Sequence, residues 1–133
     1  MKEKTKKRFA LSALVLSAML VLPTGAFAWK SDSTSGKVDD LTTYGSTTIS
    51  SDSASAYTSA SDQAFQKVSL TYEYGWGDIS DVYYAYGSDN GYKTSVSANA
   101  KATKRNPTSL KAYSSHFVAS GQASWSDNTS VSY

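Results

Sequence analysis

The sequence predicts an all-β protein: a small antiparallel β-sandwich behind an N-terminal signal peptide and a Ser/Thr-rich tether. Three observations carry this expectation. Apolar and polar residues alternate with a period of two in several separate stretches, which is the period of a half-buried strand. Clusters of turn-forming residues separate those stretches at short intervals, the spacing of a small sandwich or barrel. Beyond residue 28 no stretch carries an apolar stripe at the helical period.

Residues 1–28 read as an address. Lys2, Lys4, Lys6, Lys7 and Arg8 form a charged beginning, residues 9–22 an apolar run, and Ala26-Phe27-Ala28 a small-x-small cleavage site. The run is too short for a membrane span, so cleavage after Ala28 should release a secreted, extracellular chain starting at Trp29, with no transmembrane anchor. The whole chain has 13 basic and 11 acidic residues. The leader takes five basic residues and Glu3, leaving eight basic against ten acidic and a net charge of −2. That balance argues against a nucleic-acid partner, which would need a positive stripe to offset phosphate charge. There is no cysteine, hence no disulfide, thiolate nucleophile or lipoprotein anchor.

Residues 29–63 are rich in Ser, Thr, Asp and Gly, with few apolar side chains. So little apolar surface does not offset the entropy of ordering them. A flexible segment is expected there, with a short strand at 42–49 and an edge strand on the following domain as the alternative.

The antiparallel β domain is expected over residues 64–133. Val68, Leu70, Tyr72 and Tyr74 alternate with Lys67, Ser69, Thr71 and Glu73. Gly75-Trp76-Gly77-Asp78 ends that strand. Val82, Tyr84 and Tyr86 repeat the pattern, and Ser88-Asp89-Asn90-Gly91 reads as a hairpin turn. Tyr92, Thr94, Val96, Ala98, Ala100 and Ala102 then share one face, before a turn at Asn106-Pro107. Further on, Phe117, Ala119, Gly121, Ala123 and Trp125 share a face opposite His116, Val118, Ser120, Gln122 and Ser124. Ser126-Asp127-Asn128 reads as the next turn. A domain this small buries only about 60% of its unfolded surface, so large aromatics must fill the core, and self-association through a strand edge is expected.

His116 is the only histidine. A catalytic imidazole needs a nucleophile on one side and an orienting carboxylate on the other. Ser114 and Ser115 form no nucleophile turn, and alternation with Ser120 and Gln122 puts His116 on an outer face. Glu73, Asp78 and Asp81 lack calcium-loop spacing, and Asp78 suits a turn. Neither an enzyme, a metal site nor a cofactor is therefore expected.

The aromatics point to binding instead. Six of the ten tyrosines fall within residues 68–102. Adjacent strand residues point to opposite faces, so a core of Val82, Tyr84 and Tyr86 would leave Tyr83 exposed. Trp76 stands uncrowded between Gly75 and Gly77, and Tyr92 follows Asn90-Gly91. Trp76, Tyr83 and Tyr92 are the candidate binding residues, since exposed rings with polar tips suit a sugar-bearing or amphipathic ligand. Lys101, Lys104 and Arg105 read as a solvated hairpin end, with contact to an anionic envelope polymer as the alternative.

The order of these motifs resembles the lactococcin 972 family of secreted bacteriocins, over residues 70–133. Tyr72-Glu73-Tyr74-Gly75-Trp76-Gly77 is similar to that family's aromatic opening, and Val82-Tyr83-Tyr84-Ala85-Tyr86 to the element that follows it. Tyr92-Lys93-Thr94-Ser95-Val96-Ser97-Ala98, residues 117–123 and residues 130–133 resemble its later segments. Where the family usually carries histidines, this chain has Gly87, Ser88, Ser95 and Val96. The resemblance implies a small released β-sandwich, able to form a homodimer, that acts on the envelope of competing Gram-positive cells. The basic leader and the lack of cysteine point to a Gram-positive source. The expected action is binding without catalysis at the envelope of related Gram-positive bacteria. The alternatives are a carbohydrate- or wall-binding module and a structural secreted β-protein.

Overall fold

The computed structural model describes residues 29–77 and 80–133. The expected leader and the turn role of Asp78 lie outside the described residues. The chain forms six strands: β1 (Lys30–Val38), β2 (Leu41–Ile49), β3 (Ser53–Gly75), β4 (Val82–Lys101), β5 (Thr108–Ser120) and β6 (Ala123–Ser132). Every pairing is antiparallel. The strand order is β1-β2-β3-β5-β6, with β4 also paired to β3. The fold is all-β, an antiparallel sheet nearly closed into a barrel.

Residues 30–63, expected as a tether, instead supply β1, β2 and the first part of β3. The expected strand at 42–49 is β2 itself. Two local features explain the difference. The short polar residues carry turns: Asp39 adopts φ 50° in the β1–β2 turn, a conformation short polar side chains tolerate, and the Ser50 N–H and hydroxyl bond the Ser53 carbonyl at 2.8 and 3.1 Å between β2 and β3. They also fill the interior, where Thr43, Thr47 and Thr58 are fully buried. β-Branched threonine suits a strand, and the Thr47 and Thr58 hydroxyls find partners, while that of Thr43 is buried without one.

β3 and β4 form a long ribbon that bends in the middle. Their register runs from Ser53↔Lys101 to Gly75↔Val82, with a shift between Ser59 and Ala64. β2 pairs with the first half of β3, along 54–60, and β5 with the second half, along 65–75. At the shift, the Ser61 hydroxyl accepts the Thr42 N–H at 3.0 Å, and the buried Gln66 amide donates to the Lys93 carbonyl at 2.7 Å. Side chains thus replace ladder bonds at the bend, as buried backbone groups require. The bend brings the two halves of β4 together: the Asp89 carboxylate accepts the Ser97 N–H at 3.3 Å, and Gly87 lies against the Asn99 backbone. The turn expected at residues 88–91 is therefore absent, and β4 runs straight through it beside β3. The expected turn at 126–128 is absent too. β5 and β6 are joined at Gly121-Gln122, where Gly121 has φ 59°.

The open side lies between β1 and β6, and side chains bridge it. The Asp32 carboxylate accepts the Ser130 N–H at 2.9 Å. The Thr34 hydroxyl donates to the Asp127 carboxylate. The Trp125 indole covers Gly36 so closely that a Cβ there would overlap it. Inside, one apolar cluster holds Ile49, Val68, Leu70, Tyr72, Tyr74, Val96 and their alanine neighbours. A smaller one holds Val38, Ala60, Ala64 and Val118, with Leu41 and Trp125 against it.

The contact at Gly87 should be decisive for the bend. A Cβ at residue 87 would overlap the Asn99 carbonyl oxygen, a backbone atom that cannot rotate away. Gly87→Ala should lower the free energy of unfolding by about 2 kcal/mol or more, measured by denaturant titration, whereas Gly77→Ala, whose Cβ meets nothing within 4 Å, should cost only the roughly 1 kcal/mol of a side chain at φ 70°.

Candidate functional site

The structure divides the aromatics between an outer sheet face and a column that leads out of the core. The phase expected for the start of β4 is reversed. Tyr83 stands opposite Tyr74, whose face is the core, and is partly buried against the larger apolar cluster. Val82, Tyr84 and Tyr86 point outward and are exposed. The alternation was correct, but cross-strand pairing sets its phase, and a tyrosine is apolar enough for either side. Tyr92 is exposed as expected, at 68%. It does not share the face of Val96, Ala98 and Ala100, which are buried, because the shift near residues 93–95 changes which side faces inward.

The outer face can be built from the register. Thr71 lies between Tyr86 on β4 and Tyr113 on β5. Glu73 lies between Tyr84 and Lys111. The Tyr84 and Tyr86 rings are nearly parallel, 14° apart with centroids at 6.5 Å, and Tyr86 is 71% exposed. At the other end Tyr92 is opposite Phe65, whose ring meets Phe117 edge-on at 6.4 Å. Ser69 stands between the two groups, with Ser88 on one side and Ser115 on the other. Six residues separate Tyr86 from Tyr92, roughly 20 Å along a strand. The result is two exposed aromatic groups on one face with a polar middle of Ser69, Ser88, Ser115, Lys67 and Asn90.

The column runs Tyr72, Tyr74, Tyr83, Trp76. Tyr72 stacks on Tyr74 at 5.3 Å, Tyr74 on Tyr83 at 5.8 Å, and Trp76 meets Tyr83 edge-on at 6.5 Å. Its buried end is tied down: the Tyr72 hydroxyl pairs with Ser109 Oγ at 2.6 Å, and Ser109 donates to the Ser50 carbonyl at 2.5 Å. Burial pushes the Tyr72 phenol above its ordinary range, against the effect of the Ser109 bond. Trp76 is 42% exposed, as its flanking glycines implied. Of the three sequence candidates, the structure brings Trp76 and Tyr83 together and leaves Tyr92 on the outer face. Tyr84, Tyr86, Tyr113 and Phe65 were missed. The pairing of Tyr83 with Tyr74 reveals Tyr84 and Tyr86, and that of Thr71 with Tyr113 reveals Tyr113. Phe65 instead continues the outward alternation of Lys67, Ser69 and Thr71 and could have been read from β3 alone.

His116 lies on the opposite side of its strand from the expected outer face; it is 1% exposed. Its neighbour Phe117 is the outward residue and meets Phe65. Thr58 Oγ1 is 2.7 Å from Nδ1, while Ser114 Oγ at 3.0 Å and Thr129 Oγ1 at 2.8 Å meet Nε2. Thr47 closes the ring of hydroxyls by bonding Ser114 and Thr129. A Cβ on Gly45 would fall 2.5 Å from the imidazole, so the missing side chain makes room for the ring. Hydroxyls donate or accept as needed, so they satisfy the neutral imidazole in either tautomer. Burial lowers the His116 pKa to about 4, partly opposed by the Asp127 and Asp32 carboxylates. Ser114 and His116 are hydrogen-bonded at 3.0 Å, and both are buried within this ring of hydroxyls.

No protein-family model, curated protein or solved structure matches the chain.

The depressed His116 value makes stability depend on pH. The unfolded imidazole binds its proton near pH 6.5 and the folded one only near pH 4. Between those values the unfolded state holds more protons, so stability is complete above pH 6.5 and falls as the pH drops toward 4. The loss should approach about 3 kcal/mol. Asp127 is held below its ordinary value chiefly by the Thr34 hydroxyl, then by the Asn128 N–H, and adds a loss of the same sign at still lower pH. Denaturation midpoints at pH 7 and pH 4.5 should differ clearly in the native chain and much less in His116→Gln.

Proposed function

We propose that the chain is a secreted bacteriocin-like protein that binds, without catalysis, at the cell envelope of related Gram-positive bacteria. Its motif order supports the comparison with the lactococcin 972 family, although the single, nearly closed sheet departs from the two-sheet sandwich that the resemblance implies. The observation that carries the binding part is the outer face of β3, β4 and β5. Tyr84, Tyr86 and Tyr113 lie at one end, Tyr92 and Phe65 at the other, with serines between them. Tyrosine rings stack on the apolar faces of sugars while their hydroxyls and neighbouring serines bond the polar edges. A face about 20 Å long suits an extended glycan-bearing polymer better than a small molecule. The face carries Lys67 and Lys111 against Glu73, so stacking is joined by a small positive balance that favours a polymer with anionic groups.

The same face would serve a wall-binding module that does not kill, and one experiment separates the two. The double variant Tyr84→Ala/Tyr86→Ala should lose at least tenfold in affinity for purified Gram-positive cell walls, with a melting temperature within a few degrees of the native protein. Growth inhibition lost in parallel supports the bacteriocin reading. Native protein that binds walls without inhibiting any related strain is a wall-binding module. Unchanged wall binding by the variant removes the outer face from the account.

A further inference from the structure

We propose that Trp76 and Tyr83 form a two-walled site for a trimethylammonium group, and that Lys104 is its internal occupant. The site lies at the end of the aromatic column, apart from the outer face, since Tyr83 and Tyr84 are adjacent and point to opposite sides of β4.

The two rings stand at 81° with centroids 6.5 Å apart, which leaves a corner with π-faces on two sides. The Lys104 ammonium already sits in it, 5.2 Å from the Trp76 ring centroid and 5.4 Å from that of Tyr83. One cation shared between two rings is the arrangement by which aromatic cages hold quaternary ammonium groups. Among the described residues no carboxylate pairs with Lys104; the ion pairs there belong to Lys93 and Lys101. The contacts of this ammonium among the described residues are the two rings.

The walls are fixed before any ligand arrives. Tyr74 stacks on Tyr83 at 5.8 Å, too close to admit an ammonium between them, so the cation uses the other face. The Tyr74 hydroxyl pairs with Thr103 Oγ1 at 3.1 Å and accepts the Thr103 N–H at 3.2 Å. That pair of bonds anchors the loop and delivers Lys104, the next residue, to the corner. Tyr83 is therefore backed by the core and Trp76 is left open to solvent.

Lys104 is a weak occupant. A primary ammonium is compact and strongly hydrated, so holding it against rings sacrifices solvation that a trimethylammonium group does not have to give up. The long side chain must also be ordered to reach the corner. A choline-type head group carries its charge on a methylated surface that matches both rings. It would displace Lys104 into water, where the ammonium is well solvated. Lys104 then acts as an internal competitor that sets the affinity of the site.

The test is a titration of the isotope-labelled chain with choline chloride, following the three indole N–H signals by NMR. Trp76 should shift in a saturable way, while Trp125, packed over Gly36, stays still. The uncharged isostere 3,3-dimethylbutanol should leave Trp76 in place. Lys104→Ala should bind choline about threefold more tightly, the worth of one exposed cation–π contact; Trp76→Ala should abolish saturation at the Tyr83 ring signals. Phosphocholine in solution and phosphatidylcholine vesicles then tell whether a free or polymer-borne group or a lipid head group is preferred. A Trp76 signal that choline does not move in Lys104→Ala, or one that the neutral isostere moves equally, overturns the proposal. Wall binding is measured separately on the outer face, so either site can fail without the other.

Discussion

The structure depends on keeping one uncharged imidazole inside a small barrel. Leaving a buried polar group without partners costs on the order of 1–3 kcal/mol, so His116 must be met on both nitrogens. Its direct partners are Thr58 on β3, Ser114 on its own strand β5 and Thr129 on β6, and Thr47 on β2 joins the network by bonding Ser114 and Thr129. No local segment contains them all. The network forms only when the N-terminal strands close against the C-terminal ones, and Gly45 leaves the space in which the ring sits. A fully satisfied polar network specifies one arrangement. Here it joins the smaller apolar cluster to the larger one, neither of which spans the barrel.

The rest of the architecture follows from that closure. β3 and β4 must bend to wrap around the interior, and the bend works because Ser61 and Gln66 take over ladder bonds while Gly87 admits the Asn99 backbone. The wrapped ribbon presents its convex side to solvent, where Tyr84, Tyr86 and Tyr92 stand. Its inner side stacks Tyr72, Tyr74 and Tyr83 toward the loops. The two aromatic arrangements are thus the two sides of one strand pair, separated by the pleat alone. Across the seam, the Asp32 and Asp127 carboxylates join β6 and β1 through single side-chain bonds, and the lowered Asp127 value makes its bond to Thr34 sensitive to acid.

Much of this was legible in the sequence, and the remainder was hidden for definable reasons. The run Val68, Leu70, Tyr72, Tyr74 is a buried strand face as its alternation implied, and the breaks after Gly75 and around Asn106-Pro107 are where they were expected. Trp76 is exposed because its glycines said so. The phase of β4 was not legible, since Val82-Tyr83-Tyr84-Ala85-Tyr86 is apolar on both faces and only the partner strand decides which is covered. His116 was misplaced for a related reason. Its neighbours Ser114, Thr47, Thr58 and Thr129 look solvent-loving one at a time, and become an interior only when five side chains from four strands meet. The Ser/Thr-rich lead-in hid its strands in the same way: it supplies half of that interior in hydroxyls rather than in apolar area. Asn90-Gly91 is a strong local turn signal overruled by continuous pairing with Gln66 and Lys67.

The claim that β1 and β2 belong to one cooperative unit with β5 and β6, joined through His116, is tested most directly by native-state amide exchange of the full chain. Cooperative closure predicts that the central amides of β2, around Thr47, exchange with the same opening free energy as those of β5 around His116, both equal to the global unfolding free energy. Exchange in β2 that is a hundredfold or more faster than in β5, with β5 unaffected, would show that the lead-in opens by itself. In that case the hydroxyl network does not hold the barrel together.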